Sequence, residues 1–218
     1  MERRKTLAKI YKTSGILIAE KTKVIFDEII KKHHANTAGF CRHYLLLYSI
    51  VLGLETKSAF EFGAGFSSKV ILKALEETGG KLITCDIRNI EDAGLSEKDI
   101  ESRRHNWHYI QGNSLDVVKE LKSEAFDFTL HDGSHNWQTV AKDIKNILPK
   151  MKKNSLLLVH DTEHPTENYM LKKAIKKALR WVKHSKVTLP YGYGLTIIRV
   201  EENFGNGEVE IKWRKKKN

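Results

Sequence analysis

Cysteine and proline are scarce in this chain, which has two cysteines and three prolines among 218 residues. Cys41 and Cys85 are too few for a disulfide framework and lack the CxxC spacing of a metal site. We therefore interpret both as reduced thiols, partly in core positions. The prolines and glycines do not cluster, so no low-complexity linker divides the chain.

Long apolar runs are also missing. No run approaches the roughly 18 residues that a membrane span needs. The N-terminal segment is interrupted by Lys9, Lys12 and Glu20, which is unlike the apolar stretch of a secretory signal. Hydrophobic residues make up 40% of the chain and charged residues 30%, as in soluble globular proteins. We predict a cytoplasmic protein without a membrane partner.

Acidic residues are outnumbered, with 27 Asp and Glu against 38 Lys and Arg, a formal net charge of +11. Such an excess favours polyanionic partners or acidic substrates. In residues 171–182, however, the apolar residues have helical spacing, so the lysines fall on the opposite, solvated face. Apart from Trp181 near its end, this segment has no aromatic residue interleaved with its lysines for base stacking. Nucleic acid is therefore the less favoured partner.

Short apolar runs alternate with amphipathic segments from residue 58 onward, which predicts an α/β fold with a mostly parallel sheet. The predicted strands cover residues 58–62, 81–85, 107–110, 126–130, 155–159, 186–189 and 195–200. The predicted helices cover residues 1–34, 40–52, 68–77, 96–106, 115–122, 140–148 and 171–182. The fifth strand is so apolar that both its faces must be covered. The last two strands have no room for a crossover helix between them and must be antiparallel.

This order of elements predicts one domain. Residues 1–52 form a helical cover over the rim of the sheet, residues 53–203 form the α/β core, and residues 204–218 form a basic tail.

A glycine turn follows the first strand, where Glu61 precedes Gly63 and Gly65. Glycines let the backbone approach a ligand closely, and the next helix offers free N–H groups. Asp86 ends the second strand, where an acid can accept hydrogen bonds from the two hydroxyls of a ribose. The turn resembles the E/D-x-G-x-G motif of the class I methyltransferases.

That resemblance covers roughly residues 37–200 and implies a Rossmann-like seven-stranded sandwich that binds S-adenosylmethionine. Asp86 would hold the ribose, and Asn113 and Ser114 would lie near the adenine. The implied cofactor-binding residues are Glu61, Gly63, Ala64, Gly65, Ser67, Asp86, Asn113, Ser114 and Asp132. The family's common third glycine is Ser67 here. A nicotinamide dehydrogenase is the alternative for Asp86, but its G-x-G-x-x-G pattern fails at Ser68.

Two H-D-x-x-H segments, 131–135 and 160–164, end the fourth and fifth strands. Asp and His are ligands for catalytic divalent cations. The segments resemble those of metal-dependent O-methyltransferases that act on sugars, macrolides and related small molecules. This narrower resemblance implies Asp132, His160 and Asp161 as ligands of Mg, Mn, Fe or Zn, and His135 as general base. His160 stands where the family usually has an acid.

The sequence thus predicts S-adenosylmethionine-dependent O-methylation of a small-molecule acceptor. The segment 132–135 differs from the D/N-P-P-Y motif typical of base N-methylation. The N-terminal helices would cover the acceptor site, with Arg42, His43 and Tyr44 as weak candidates for contacts. The alternatives are a cofactor- or RNA-binding module without chemistry and a metallohydrolase built on the two H-D-x-x-H segments.

Overall fold

Short apolar segments form the strands of one seven-stranded sheet, as seen in a computed structural model that describes residues 25–35, 39–123, 125–167 and 169–201. The strands are β1 (Ser58–Phe62), β2 (Lys81–Asp86), β3 (Trp107–Gln111), β4 (Phe126–His131), β5 (Met151–His160), β6 (His184–Leu189) and β7 (Leu195–Val200). Their order is β3-β2-β1-β4-β5-β7-β6. β7 runs in the opposite direction to the other six strands, so it pairs antiparallel with both β5 and β6. The predicted sheet with a terminal antiparallel pair is confirmed.

Helices cover both faces of the sheet. They are α1 (residues 25–34), α2 (Tyr44–Gly53), α3 (Phe66–Thr78), α4 (Glu97–Glu101), α5 (Ser114–Glu120), α6 (Trp137–Ile147) and α7 (Leu171–Ala178). Buried residues of α2 and α3 pack in one core cluster, and those of α6 and α7 pack in the other. Within the described ranges, no helix is long and apolar enough to cross a membrane.

The apolar run of β5 explains its central position. Leu157, Leu158 and Val159 are all fully buried, with Leu158 in the α2–α3 cluster and its two neighbours in the α6–α7 cluster. Each such side chain contributes about 1.5–3 kcal/mol on burial. The prediction that this strand is covered on both faces is confirmed.

Some element boundaries differ from the prediction. The helix predicted over 96–106 ends at Glu101, because residues 102–106 form turns that lead Trp107 into its buried position in β3. β5 begins four residues early, at Met151, which is buried and pairs with Phe126. Three exposed residues follow Met151 and interrupt the alternation in the sequence. Residues 1–24 of the predicted first helix and the tail 204–218 lie outside the described residues.

The basic face of α7 has an aromatic neighbour that the sequence pattern does not reveal. The lysines are exposed and the apolar residues buried, as predicted. Trp137 of α6, however, lies beneath Lys173 and Lys177, with its ring centroid 4.1 and 5.1 Å from their Nζ atoms. The expectation of a face without aromatics was wrong, because the contact comes from another helix.

The loops after β1 and β4 touch through their backbones. β1 lies between β2 and β4, so the chain changes direction across the sheet there, and ligands bind at such a switch point. Gly63 has φ +83, and a Cβ on it would lie 2.4 Å from the carbonyl oxygen of Asp132. The contact therefore requires glycine at this position.

We predict that Gly63→Ala lowers the free energy of unfolding by at least about 2 kcal/mol, through left-handed strain and the backbone clash. Gly65→Ala is the matched control, because a Cβ there would meet nothing within 4 Å. Urea denaturation of both variants measures the difference. Equal stability of the two variants would contradict the close contact.

Candidate active site

A cavity of about 790 Å³ opens at the carboxyl ends of the parallel strands. Nine predicted site residues line it: Gly63, Ala64, Asp86, Asn113, Ser114, Asp132, His135, His160 and Asp161. Three others do not line it: Glu61 in β1, Gly65 in the glycine turn and Ser67 at the start of α3. The strands thus bring most of the predicted site to one rim.

Glu61 lies beneath the turn and is fully buried. Its carboxylate accepts hydrogen bonds from the hydroxyls of Ser67, Ser68 and Thr84 at 2.6–2.9 Å. Burial raises the pKa of Glu61 to about 7, although these hydroxyls oppose the shift. Glu61 therefore anchors the turn from below, and any effect on a ligand would pass through the turn.

Asp86 is buried at one end of the cavity and accepts hydrogen bonds from the backbone N–H of Ala64 (2.7 Å) and of Arg88 (2.9 Å). The Arg88 guanidinium donates to both carboxylate oxygens, from Nε at 3.1 Å and from Nη2 at 2.6 Å. Burial alone would raise the pKa of Asp86, but these bonds outweigh it and lower the pKa. Asp86 is thus an ionised carboxylate at the predicted ribose position.

The predicted adenine residues lie at the start of α5. The Asn113 side chain caps the helix by accepting from Leu115 N–H, and Ser114 Oγ donates to Asp143 Oδ1 at 2.7 Å. Asp143 Oδ2 also lies 3.1 Å from Nε2 of His131, and both side chains are almost fully buried. This internal network fixes the α5 end of the cavity and gives His131 a structural role.

Four side chains form a continuous chain of contacts at the other end of the cavity. His160 Nδ1 lies 3.0 Å from Asp132 Oδ1 and 3.2 Å from Asp161 Oδ1. Asp161 Oδ2 lies 2.8 Å from His135 Nε2. Asp161 has φ +58, an uncommon backbone conformation for a residue with a side chain, and such residues cluster at active sites.

The two histidines differ in their surroundings. His160 is buried, which would lower its pKa, but the two carboxylates outweigh burial and raise the pKa to about 10. Its Nε2 lies 2.8 Å from the carbonyl oxygen of Gly192. His135 is 45% exposed, and its contact with Asp161 raises its pKa. Both histidines have carboxylate partners and line the cavity, but His160 is buried whereas nearly half of the His135 side chain is exposed.

The three predicted metal ligands lie together, since His160 contacts both Asp132 and Asp161. The donor atoms that lie within 4.8 Å of one another belong to Asp132, His135 and Asp161. His160 is outside this group, because both its ring nitrogens already face hydrogen-bond partners. This group of possible ion ligands thus contains two of the three predicted ligands together with His135, the residue predicted as the base.

Aromatic rings that the sequence pattern missed line the same end. His135 stacks on Tyr169 at 4.5 Å, and His164 lies 4.1 Å from Tyr169 and 4.3 Å from Tyr193. Tyr193 sits in the β6–β7 loop with φ +64. Its place between two glycines, Gly192 and Gly194, was the available signal.

The segment before α2 closes the cavity on the side of His160. Phe40 packs on the His160 ring at 4.8 Å, and Tyr44 also lines the cavity. His43 is buried and its Nε2 lies 2.9 Å from the carbonyl oxygen of Tyr191. Arg42 lies 3.3 Å from His33 and does not line the cavity. Of the three weak candidates, only Tyr44 faces the site.

Comparison with known proteins agrees with this geometry. Residues 60–162 match the model of a methyltransferase domain family. This part of the chain is therefore similar to a methyltransferase domain. No curated protein sequence matches the chain significantly.

Solved methyltransferases share the fold at low sequence identity. An S-adenosylhomocysteine-bound methyltransferase from Podospora anserina superposes with a TM-score of 0.62 at 15% identity, covering 82% of this chain and 88% of its own. An O-methyltransferase from Bacillus cereus in complex with S-adenosylhomocysteine gives 0.57 at 16%, covering 82% and 91%. A protein from Corynebacterium glutamicum gives 0.59 at 14%, covering 84% and 92%.

The buried carboxylate of Glu61, beneath the glycine turn, gives a pH-dependent prediction. The pKa of about 7 for folded Glu61 exceeds its ordinary 4.5, so the folded state binds this proton more tightly than the unfolded state. The free energy of unfolding should therefore fall as pH rises from about 5 to about 7, by at most about 1.4 kcal/mol per unit of pKa difference.

Glu61→Gln should lose this component, because the amide does not titrate. Urea denaturation at several pH values measures it, with Glu120→Gln as the control at an exposed glutamate. The same pH dependence in Glu61→Gln as in wild type would show that Glu61 is ionised throughout.

Proposed function

We propose that the protein transfers the methyl group of S-adenosylmethionine to a hydroxyl oxygen of a small molecule. The observation that carries this proposal is the contact of 2.8 Å between His135 and Asp161 in the cavity that also contains Asp86. A cofactor site and a candidate general base thus share one cavity.

The cofactor fits the Asp86 end of the cavity. Asp86 is an ionised carboxylate that can accept from the ribose hydroxyls, and the open side of Gly65 leaves space above the turn. Asn113 and Ser114 line the neighbouring wall, as expected for the adenine. When bound, S-adenosylmethionine supplies an electrophilic methyl group.

His135 would act as the general base. Its Nε2–H donates to Asp161, which leaves Nδ1 to accept a proton, and Tyr169 holds the ring plane by stacking. When the acceptor oxygen takes the methyl group that the cofactor would supply, with S-adenosylhomocysteine as the leaving group, Nδ1 of His135 would receive the hydroxyl proton. Asp161 stabilises the imidazolium that forms, which is the usual role of an acid beside a catalytic histidine.

A divalent cation also fits the donor set. Two carboxylates and one imidazole, from Asp132, Asp161 and His135, suit Mg, Mn, Fe or Zn. A bound ion would lower the pKa of the acceptor hydroxyl. It would compete for the imidazole that the base mechanism uses, so the two roles of His135 are alternatives.

The arrangement does not favour a metallohydrolase. Among the described residues, His131 is taken up by Asp143 and His164 by aromatic stacking, so the two H-D-x-x-H segments supply a single three-residue donor group. A module that only binds its ligand would not need the His135–Asp161 contact beside the proposed cofactor site.

The third prediction concerns His135. His135→Ala should keep the affinity for S-adenosylhomocysteine, measured by calorimetry, but lose about 10²–10⁴-fold in methyl transfer. The assay follows label from S-adenosylmethionine into a panel of hydroxyl-bearing small molecules. His108→Gln, at an exposed histidine on β3, is the control.

The pH profile identifies the base. Because Asp161 raises the pKa of His135 above 6.5 and the base acts when deprotonated, wild-type transfer should rise with pH with a midpoint above 6.5. Asp161→Asn should move this midpoint downward and reduce the rate. If His135→Ala transferred methyl groups at the wild-type rate, His135 would not be the general base. If the wild type did not bind S-adenosylhomocysteine at millimolar concentration, the proposed function would be wrong.

The fourth prediction separates the two ligand sets. With Mn²⁺ in calorimetry, His135→Ala and Asp132→Asn should weaken binding, because both remove a donor. His160→Gln should strengthen binding, because it removes a positive charge that lies 3.0 Å from Asp132. Loss of Mn²⁺ binding in His160→Gln would restore the ligand set predicted from sequence. No binding by the wild type would leave His135 as base alone.

A further inference from the structure

The carboxylate of Asp86 is already saturated by groups of the chain itself. Its Oδ1 accepts from the backbone N–H and the Nε–H of Arg88, and its Oδ2 accepts from the backbone N–H of Ala64 and from Nη2 of Arg88. Four donors fill the four lone-pair positions of an ionised carboxylate. The ribose hydroxyls would need the same positions.

The guanidinium of Arg88 spans the cofactor end of the cavity. Besides the two contacts to Asp86, its Nη2 donates to the carbonyl oxygen of Ala64 at 2.8 Å, so it links the end of β2 to the glycine turn. Asp86 has 5% of its side chain exposed, whereas Arg88 has 47% exposed and lines the cavity. Solvent, and hence a ligand, reaches the arginine before it reaches the acid.

Only the side chain of Arg88 is free to leave. Its backbone N–H is bonded to Asp86, and its carbonyl oxygen accepts from the hydroxyl of Tyr109 at 2.8 Å. The backbone N–H of Ala64 belongs to the turn, which the Gly63 contact holds in place. Two of the four bonds are therefore fixed by the backbone, and the two from the guanidinium are replaceable.

We propose that Arg88 is an internal competitor for the ribose-binding carboxylate and thereby sets the affinity for the cofactor. This inference rests on the proposed function, since it requires a ribose at Asp86. The Arg88 side chain must rotate away from Asp86 before the ribose hydroxyls can bond to both carboxylate oxygens. The return of the guanidinium then favours release of the product.

The fifth prediction is that Arg88→Ala binds S-adenosylhomocysteine more tightly than wild type, by about two- to fivefold, the range for a partly exposed ion pair. Salt should tighten wild-type binding, because screening weakens the Arg88–Asp86 pair. The Arg88→Ala variant should lack this salt effect. Calorimetry at low and high salt measures both.

Two controls isolate the contact. Arg104→Ala removes an arginine from an exposed pair with Glu101 at 3.3 Å, outside the cavity, and should change nothing. In an Asp86→Ala background, Arg88→Ala should no longer tighten binding, because the two residues act on one position.

The outcomes separate this inference from the proposed function. Wild-type binding with unchanged or weaker binding by Arg88→Ala would overturn the competition and leave the cofactor site intact. Tighter binding that persists in the Asp86→Ala background would also overturn it. Absence of binding by wild type and Arg88→Ala alike would overturn the proposed function, and this inference with it.

Discussion

Buried carboxylates beneath and around the cavity constrain this side of the domain, because an ionised carboxylate loses several kcal/mol of solvation on burial unless partners replace the water. Four of them are at most 6% exposed: Glu61, Asp86, Asp143 and Asp161. Each has a different partner, and the partner decides what the acid can do. Neutral hydroxyls make Glu61 a structural anchor, while the arginine at Asp86 and the histidines at Asp161 can exchange a bond with a ligand or hold a proton.

The sequence predicts the sheet well because its signals are local. Apolar runs predict all seven strands, and the short link at residues 190–194 predicts that the last two strands are antiparallel. The failures have a common physical cause. The start of β5 is lysine-rich and lacks the alternating pattern of a strand, and its boundary is decided by the pairing with Phe126. The end of α4 is polar and lacks the periodicity of a helix, and its boundary is decided by the burial of Trp107.

The sequence predicts which residues lie around the cavity, but it does not predict which of these side chains contact one another. The ends of the strands bring Asp86, Asp132, His135 and Asp161 to the lining of one cavity. Which carboxylate faces which imidazole depends on side-chain rotamers and on the register of β4 and β5, which spacing along the chain does not contain. For the same reason the sequence does not show that Asp161 contacts both His135 and His160.

His160 contacts both Asp132 and Asp161, and its charge bears on whether the proposed reaction needs a metal. Two adjacent carboxylates without compensation repel each other and attract a divalent cation. In this chain the pKa of about 10 for His160 keeps a positive charge between them at neutral pH, anchored through Gly192. The imidazolium supplies part of the charge that a metal would otherwise provide, which lowers the gain from binding an ion. His160, at the position where the resemblance implies an acid, therefore supports the proposed general-base role of His135 over the proposed metal assistance.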